Sequence, residues 1–492
     1  MSKKIIIVGA GIAGLTAGIH ACRNGYETEI FEMHTLPGGL CTAWERKGYT
    51  FDGCIHWLVG TKPGSQFNRL WQEVCDIDAM EIIEGDRFIS IEGKGGKALH
   101  IYSDIDRLES HLLEYSPQDE AVIKELAGAA RLMSRMEFPL DKPDELIKFW
   151  HIPLIMFKML PMFKIMGKFS RVTIAEYLGK IKDPFLKEAL GLLIPPGYSM
   201  LSLLSTLASH HAGDAGFPKG GSLAFARSLE KRFTELGGKI HYSSPVSEVI
   251  IENDRAVGVS LTDGSQVRAD TVISSADLFH TTKELLKGKY TTKLIKDSFE
   301  NLATYSSVQV SLGIDSDLSG EDKKLAVRLS KPISIGTEEN RYLHITNYSF
   351  DSSLAPAGKS VVTGTLYSSF EPWSGAAKNR ELYREKKEQL AGQVVKAVEE
   401  RFPAARGKVE AIDVATPYSF HRYTGVYKGA YMAWIVPPDS GRFKIPKQLP
   451  DLKDFYQIGQ WVEPPAGLPG SMLTGRHVIQ LICRRDSRSF KK

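Results

Sequence analysis

Cysteine is scarce in this chain, and its distribution excludes two classes of cross-linked protein. The 492 residues contain five cysteines, an odd number, and none forms a C-x-x-C pair. A disulfide framework needs paired cysteines, and a structural zinc site needs closely spaced ones. We therefore expect a reducing compartment, no disulfides and no metal site. The five positions are Cys22, Cys41, Cys54, Cys75 and Cys483.

The chain also lacks an excess of charge of either sign. Lys and Arg number 62, Asp and Glu number 58, and the formal net charge is +4. This balance gives no indication of a nucleic-acid partner. A hydrophobic content of 42% with 24% charged residues is typical of a soluble globular protein. A chain of this length is too long to fold around a single hydrophobic core of ordinary size, so two domains are expected.

No signal peptide is expected, although the first residues imitate one. Ser2-Lys3-Lys4 precede a run without Asp, Glu, Lys or Arg that extends to Cys22. The run contains a glycine fingerprint and continues into a second predicted strand, which a cleaved segment would not do. We therefore predict a cytoplasmic protein.

A long apolar run at residues 189–213 does not predict a membrane span. It contains no Asp, Glu, Lys or Arg and is long enough to cross a bilayer. Pro195-Pro196-Gly197 divides it, however, which favours two short apolar segments that line a pocket.

A second apolar run, residues 149–170, combines Met, Phe and Ile with lysines. No acidic residue occurs between Glu145 and Glu176. This composition suits a segment that lies in the headgroup layer of a membrane. The alternative is a pair of core helices broken by Pro153 and Pro161. The missing acidic residues favour the membrane surface, and so a peripheral membrane protein.

Glycine is plentiful, and its first cluster has an informative spacing. Residues 5–8 are a short apolar run that predicts a buried parallel strand. The G-x-G-x-x-G pattern that follows predicts a tight turn, close approach of backbone to a pyrophosphate, and close packing of a helix on a strand. The predicted cofactor-binding residues here are Gly9, Ala10, Gly11, Ala13 and Gly14.

An acidic residue follows at the distance that a dinucleotide site requires. Glu32 ends a second predicted strand, 18 residues after Gly14. A carboxylate at that position accepts hydrogen bonds from the adenosine ribose and argues against a 2′-phosphate. Strand, glycine turn, helix and Glu32 together predict dinucleotide binding.

A second glycine pair decides between the possible dinucleotides. Pro37-Gly38-Gly39 follows Glu32, and Arg46 and the segment Asp52-x-x-x-His56 come after it. A nicotinamide dehydrogenase needs no such pair, and an ordinary surface loop is the alternative. The chain resembles the FAD family that includes amine oxidases, protoporphyrinogen oxidases and carotenoid desaturases. The resemblance implies that Gly38, Gly39 and Arg46 contact FAD.

The middle of the chain alternates between helix and strand patterns. A helix at 223–236 is predicted after Pro218-Lys219-Gly220-Gly221-Ser222, and further strands between 304 and 370 precede a helix at 381–402. A second G-x-G-x-x-G is missing, so an additional NAD(P)H domain is not indicated. Short strands are predicted at 239–242, 246–251, 256–261, 266–268 and 270–275.

The C-terminal motifs refine the resemblance. A strand at 454–461, a rigid turn at 464–471 and a helix beginning at Gly475-Arg476-His477 are predicted. Together with Thr416-Pro417-Tyr418 and Gly429-Ala430-Tyr431, they make the chain similar over its whole length to the phytoene desaturase, carotenoid isomerase and retinol saturase family.

This resemblance implies a fold and further site residues. It implies an α/β fold, with a Rossmann-like FAD-binding domain (1–80, 215–290 and 451–492) and a discontinuous α+β substrate-binding domain (81–214 and 291–450). In that family Gly-Gly stands where this chain has Pro465-Ala466, a stiffer pair that puts substrate preference in doubt. The residues implied to contact FAD are Val246, at the adenine, and Gly459, Gly470, Ser471, Met472 and Gly475.

The function implied is that of an FAD-dependent oxidoreductase acting on C–C or C=C bonds of a polyene or isoprenoid lipid. Hydride would pass to or from flavin N5, and desaturation, isomerisation and saturation stay open. Residues 149–166 and 192–207 are the expected apolar tunnel. The alternatives are an amine oxidase-type enzyme with a polar substrate and a non-catalytic flavin-binding membrane protein. The oligomeric state is not predicted.

Few polar side chains are candidates for the chemistry. The sequence assembles no Ser-His-Asp or paired-carboxylate site. His56 is the best candidate for a catalytic group near the flavin, and a structural histidine is the alternative. His210 and His211 are adjacent, so their side chains point apart and do not predict a metal site.

Overall fold

The computed structural model describes residues 2–438, 443–464 and 467–492. Pro465-Ala466, the pair that departs from the family pattern, lies outside the described residues. Two large sheets dominate the fold, one parallel and one mostly antiparallel.

The first large sheet has five parallel strands drawn from three distant parts of the chain. Its central strand is covered on both faces: Ile5, Ile6 and Ile7 are each 0% exposed. This burial explains the uninterrupted apolar run there. In spatial order the strands are β10 (Lys239–His241), β2 (Glu27–Phe31), β1 (Lys4–Val8), β14 (Thr271–Ser274) and β20 (Phe455–Gln457).

The second large sheet has seven strands, and all neighbouring pairs except β16 with β7 are antiparallel. Four of its strands lie between residues 304 and 370, where the sequence predicts several. In spatial order the strands of the sheet are β19 (Val409–Ala415), β15 (Ser307–Ile314), β18 (Ser360–Tyr367), β17 (Glu338–Asn347), β16 (Lys324–Ile335), β7 (Arg87–Glu92) and β8 (Ala98–Tyr102).

Three small sheets connect these layers. One is the hairpin of β3 (Ala43–Arg46) and β4 (Tyr49–Asp52). Another has β9 (Ala215–Pro218) between β5 (Leu58–Val59) and β6 (Ile82–Ile83). The third has β11 (Val246–Glu252), β12 (Arg255–Leu261) and β13 (Gln266–Arg268), the last two joined as a hairpin.

The described residues form fifteen α-helices that cover the sheets. They are α1 (Ile12–Arg23), α2 (Gln66–Gln72), α3 (Ile105–Tyr115), α4 (Glu120–Met133), α5 (Ile152–Phe169), α6 (Ile174–Leu178), α7 (Pro184–Gly191), α8 (Met200–His211), α9 (Gly221–Glu235), α10 (Leu278–His280), α11 (Lys293–Asn301), α12 (Glu371–Ala376), α13 (Arg380–Arg401), α14 (Pro417–Thr424) and α15 (Gly467–Arg485). Among them, none is both long and apolar enough to cross a bilayer.

The two apolar runs form helices in different ways. Residues 189–213 contribute to two helices, α7 and α8, with the Pro-Pro-Gly segment between them, as predicted. Within residues 149–170, α5 (Ile152–Phe169) is one continuous helix, so the alternative of a helix pair broken by Pro153 and Pro161 is wrong. Pro153 lies in the first turn of α5, where a missing N–H costs no intrahelical bond.

The C-terminal helix begins earlier than predicted. The sequence places its start at Gly475 after a rigid turn, but α15 begins at Gly467. Pro469 falls within its first turn, where backbone N–H groups have no intrahelical acceptor, so the proline is compatible with the helix. Gly470, Ser471 and Met472 therefore lie on the first turns of α15 rather than in a loop.

Candidate cofactor and substrate site

The turn after β1 is built for close backbone contact. Gly9 has a φ of +98° and donates its N–H to the carbonyl of Phe31 at 2.8 Å. A Cβ on Gly14 would lie 2.1 Å from the carbonyl oxygen of Gly9, so only glycine lets α1 start this close to the turn. No side chain caps α1, and its first turn carries no acidic residue. Its amide groups and dipole are thus suited to bind phosphate.

Glu32 lies directly beside this turn. Its Oε2 accepts the N–H of Ala10 at 2.7 Å, and its Oε1 accepts the N–H of His34 at 2.8 Å. The residue is 6% exposed. Burial raises the pKa of Glu32, and the two backbone N–H groups oppose that rise. The carboxylate predicted to bind ribose is therefore held next to the predicted phosphate-binding backbone.

The second glycine pair meets the first. Gly38, at φ +106°, donates its N–H to the carbonyl of Ala10 at 2.8 Å. A Cβ on Gly38 would lie 2.1 Å from the carbonyl oxygen of Cys41, and one on Gly39 3.5 Å from Cα of Gly11. We call residues 9–14, Glu32 and residues 38–39 the glycine cradle.

Ser275 completes the floor of the glycine cradle, and sequence reasoning missed it. Its N–H donates to the carbonyl of Val8 at 2.8 Å. A Cβ on Gly14 would lie 3.2 Å from Cβ of Ser275. The signal available in the sequence was the pair Ser274-Ser275 at the end of a predicted parallel strand, the edge of a sheet where ligands bind.

Val246 lies near the ribose side of the cradle. The N–H of Ser244 donates to the carbonyl of Glu32 at 2.9 Å. Val246, two residues further on, is 7% exposed and packs in one apolar cluster with Phe31. The structure therefore brings Val246 to the end of β2, and its contact with adenine stays a prediction.

The C-terminal segment returns to the same sheet edge. Gly459 follows β20 with a φ of +110° and donates its N–H to Oγ1 of Thr474 at 2.9 Å. That hydroxyl in turn donates to the carbonyl of Ser471 at 2.8 Å. These bonds join the end of the strand to the first turns of α15, which carry Gly470 and the buried Met472.

Gly475 has a steric role. A Cβ at this position would lie 2.5 Å from the carbonyl oxygen of Ala13 and 3.1 Å from the amide nitrogen of Ala17. Glycine there allows α15 to pack closely on α1. Helix packing alone therefore explains why position 475 requires glycine. The contacts of Gly475 and Ala13 with the cofactor stay predictions.

The Arg46 side chain forms an ion pair with a strand of the seven-stranded sheet. Its Nε lies 2.8 Å from Oδ2 of Asp413 on β19, and the side chain is 52% exposed. One of its terminal nitrogens, Nη1, donates to the carbonyl of Glu45. These contacts join Arg46 to the seven-stranded sheet, and its contact with FAD stays a prediction.

Asp52 fixes the segment that leads to His56. Its Oδ1 accepts the N–H groups of Cys54 and Ile55 at 3.0 and 3.1 Å, and the hydroxyl of Ser222 at 2.7 Å. Its Oδ2 accepts the N–H of Ser222. A Cβ on Gly221 would lie 2.2 Å from this oxygen, which explains the Gly-Gly-Ser sequence at the start of α9. Neither Asp52 nor Ser222 was predicted as a site residue.

His56 lines a cavity next to this junction. Burial and the nearby charge of Lys324 lower the pKa of His56 to about 4, so the imidazole is neutral at pH 7. A neutral imidazole can donate or accept one proton without bringing net charge into an apolar site. This placement agrees with a polar group at a substrate site, and the catalytic role of His56 stays a prediction.

The geometry fits FAD on three observations. The first is a pair of glycine turns in which an added Cβ at Gly14 or Gly38 would clash with backbone. The second is Glu32, which is held at the end of β2. The third is the N-terminus of α1, whose backbone N–H groups are not capped by a side chain. Such a set accommodates a pyrophosphate and an adenosine ribose.

Comparisons with known proteins agree with this geometry. The family model for flavin containing amine oxidoreductase matches residues 12–483. Prolycopene isomerase of Daucus carota is 25% identical over 501 residues, covering 96% of this chain and 78% of that protein. Lycopene-forming phytoene desaturase of Paracoccus sp. is 24% identical, covering 98% and 97%.

A solved structure has the same fold. The oxidoreductase from Methanosarcina mazei aligns with a TM-score of 0.62 at 21% identity, covering 97% of this chain and 100% of its own. The predicted α/β fold, the predicted cofactor FAD and the resemblance to carotenoid desaturases and isomerases are thereby confirmed. The chain belongs to the flavin containing amine oxidoreductase family and is an FAD-dependent oxidoreductase.

Proposed function

We propose that this enzyme acts on C–C or C=C bonds of a polyene or isoprenoid lipid. The observation that carries the proposal is the similarity along almost the whole chain to a prolycopene isomerase and a phytoene desaturase. Both names denote proteins that act on carotenoids. Similarity over 96–98% of the chain includes the segments predicted to bind substrate as well as the glycine cradle.

The site supports chemistry in which the protein binds and orients the cofactor and the substrate and brings no charged catalytic group to them. Bound FAD supplies the redox step by accepting or donating a hydride. The backbone of the cradle holds the cofactor, while Asp52 holds the segment carrying His56. The neutral His56 imidazole can hold or move one proton at its ring nitrogens without stabilising a charged amine.

The test is anaerobic incubation with polyene lipids in liposomes, with the bound flavin oxidised or pre-reduced, and products analysed by mass spectrometry. Loss of two hydrogens with oxidised flavin identifies a desaturase, and gain of two with reduced flavin a saturase. Unchanged mass with altered retention identifies an isomerase. The matched reaction replaces the polyene with a polyamine. Flavin reduction by the polyamine, with no polyene product, would contradict the proposal and favour the amine oxidase alternative.

We further propose that the enzyme is a cytoplasmic protein that docks on a membrane through α5. Five large apolar side chains on α5 and on the short turn just before it are well exposed, and the last part of the helix packs on the core through Ile165 and Phe169. Lys164 and Arg171 are exposed on the same segment and suit anionic headgroups. The exposed residues are Phe149 (76%), Trp150 (56%), Met156 (52%), Phe157 (72%) and Phe163 (46%).

Vesicle binding tests this surface. Phe157→Glu should reduce co-sedimentation with phosphatidylglycerol vesicles at least five-fold, because it places a carboxylate where apolar area enters the lipid. Leu382→Glu is the matched control, since Leu382 is 41% exposed on α13. Equal loss in both variants, or none in Phe157→Glu, would contradict docking through α5.

A further inference from the structure

A cavity beside His56 carries an unusual distribution of charge. It is open to solvent, and its enclosed part has a volume of about 70 Å³. Aromatic rings of Phe88, Phe217 and Phe350 line it together with Lys323 and Lys324. We call it the Lys324 cavity.

Lys324 is the cation on the inner side of this cavity. Its Nζ donates to the carbonyl of His56 at 2.7 Å and lies 5.6 and 5.5 Å from the ring centroids of Trp57 and Phe88. Within the described part of the chain, no carboxylate forms an ion pair with it. Burial, with a smaller contribution from Lys323, lowers the pKa of Lys324 to about 8. The ammonium is therefore still charged at pH 7 and lacks a counter-charge.

The other charges around the cavity are balanced or exposed. Arg87 lies 3.1 Å from Asp322 and 3.7 Å from Asp86. Lys323 is exposed and donates to the carbonyl of Glu84 at 3.0 Å, and the Glu84 carboxylate is itself on the exposed rim. Water screens the exposed Lys323, so Lys324 is the charge that needs a partner.

Two neutral imidazoles flank this charge. The His210 ring packs 4.4 Å from Phe88, between centroids, and its Nε2 is buried with no hydrogen-bond partner among the described residues. Burial and the charge of Lys324 lower the pKa of His210 to about 3, and His56 is neutral as well. His344 on β17, whose pKa burial lowers to about 4, adds no charge. A buried nitrogen without a partner is costly, and a ligand oxygen would satisfy it.

We propose that the Lys324 cavity binds the carboxylate of an amphipathic substrate, an apolar polyene or isoprenoid chain that ends in a carboxylic acid. The inference rests on the proposed function for the apolar chain and adds its anionic end. One uncompensated ammonium matches one carboxylate, whereas a phosphate brings up to two charges and favours arginine or several backbone N–H groups. Arg87 is already paired. The rings of Trp57 and Phe88 offer apolar contact to the adjoining chain.

Parinaric acid, a conjugated C18 polyene acid whose fluorescence increases on binding, is the probe, and its methyl ester is the matched neutral control. The holoenzyme should bind the acid at least ten-fold more tightly than the ester at pH 7. Lys324→Met should abolish this preference, while Lys331→Met, at an exposed lysine of the same strand outside the cavity, should change it less than two-fold. Lys324→Arg should retain the preference, which also shows that the site folds.

The pH dependence supplies a second measurement on the wild-type protein. The preference for the acid requires an ionised carboxylate and a protonated Lys324, so it should be present at pH 7 and lost by pH 10. Lys324→Arg should keep it at pH 10, because a guanidinium stays protonated there. Equal binding of acid and ester at pH 7, no binding of either, or an undiminished preference in Lys324→Met would overturn the inference. If the preference for the acid is retained but no desaturated, saturated or isomerised product forms, only the proposed function is contradicted.

Discussion

The glycine cradle and the Lys324 cavity are both assembled from distant parts of the chain, but from different atoms. The cradle works through backbone: Gly38 donates to the carbonyl of Ala10, and Gly9 to that of Phe31. The cavity works through side chains, with Lys324 from β16 and His210 from α8. A site made of backbone demands glycine at fixed spacing. A site made of side chains demands only that suitable residues meet in the fold.

This difference leads to different tolerance of mutation. A Cβ added in the cradle meets backbone atoms, which cannot move without displacing the sheet or α1. A changed side chain in the cavity alters charge and shape while the surrounding strands stay in place. We therefore expect cradle substitutions to act on cofactor binding and folding together, and cavity substitutions to act on ligand selectivity.

Gly14→Ala should have the largest effect. Its methyl group would lie 2.1 Å from the carbonyl oxygen of Gly9, far inside van der Waals contact, so α1 must move away from the turn. We expect loss of most bound FAD, measured by absorbance after gel filtration, and a loss of stability of at least about 3 kcal/mol. Gly128→Ala is the matched control, because Gly128 is also helical and an added Cβ meets nothing within 4 Å. That variant should gain about 1 kcal/mol and keep its flavin. Full flavin content in Gly14→Ala would contradict the role assigned to this glycine.

Asp52→Asn tests the junction between the two regions and should have an intermediate effect. The asparagine amide would place its NH₂ group against N–H or hydroxyl groups whose hydrogen bonds Asp52 now accepts. Leaving buried donors unsatisfied costs about 1–3 kcal/mol each, so we expect a loss of about 3 kcal/mol in urea unfolding. We also expect weaker binding of polyene ligands, because the His56 segment loses its anchor. Asp86→Asn, at a side chain that is 62% exposed, is the control and should change stability by less than about 0.5 kcal/mol. A loss below 1 kcal/mol in Asp52→Asn would show that the junction is held by other contacts.

The predictability of the two regions follows from the same contrast. The glycine spacing and Glu32 were readable because a βαβ turn constrains neighbouring residues in the sequence, and the structure places Glu32 against Ala10. The strands at 266–268 and 271–274 were predicted because their apolar patterns are local. The sequence around Lys324 does not mark it as a site residue, because it is an ordinary lysine at the start of a strand. Its significance comes from contacts with His56 and Trp57, more than 260 positions away along the chain.

Local patterns say little where tertiary packing decides the outcome. Arg46 was assigned to the cofactor from a family motif, and that contact stays a prediction. Its ion pair with Asp413 had no signal in the sequence, because no local pattern connects the two residues. The start of α15 was placed too late because Pro469 was interpreted as part of a turn. A proline is equally compatible with the first turn of a helix. The observed helix includes both Pro469 and Gly475, and Gly475 packs on α1. The domain boundaries stay a prediction, consistent with one parallel sheet drawing strands from three stretches of chain.

The smallest effect is a pH dependence at the floor of the cradle, two residues beyond Ser275. Asp277 is 8% exposed, and burial raises its pKa to about 7, although the N–H groups of Phe279 and Tyr427 favour its ionised form. A carboxyl group whose pKa is higher in the folded than in the unfolded state contributes stability below about pH 4, and this contribution is lost as pH rises to 7. Between pH 5 and 7 the wild-type protein should therefore lose up to about 1.4 kcal/mol per pH unit relative to Asp277→Asn. Urea unfolding at pH 5, 6 and 7 measures this difference, with the exposed Asp451→Asn as the control whose slope should match the wild type. Parallel slopes in wild type and Asp277→Asn would show that the carboxyl group is already ionised at pH 5, and that its N–H donors outweigh its burial.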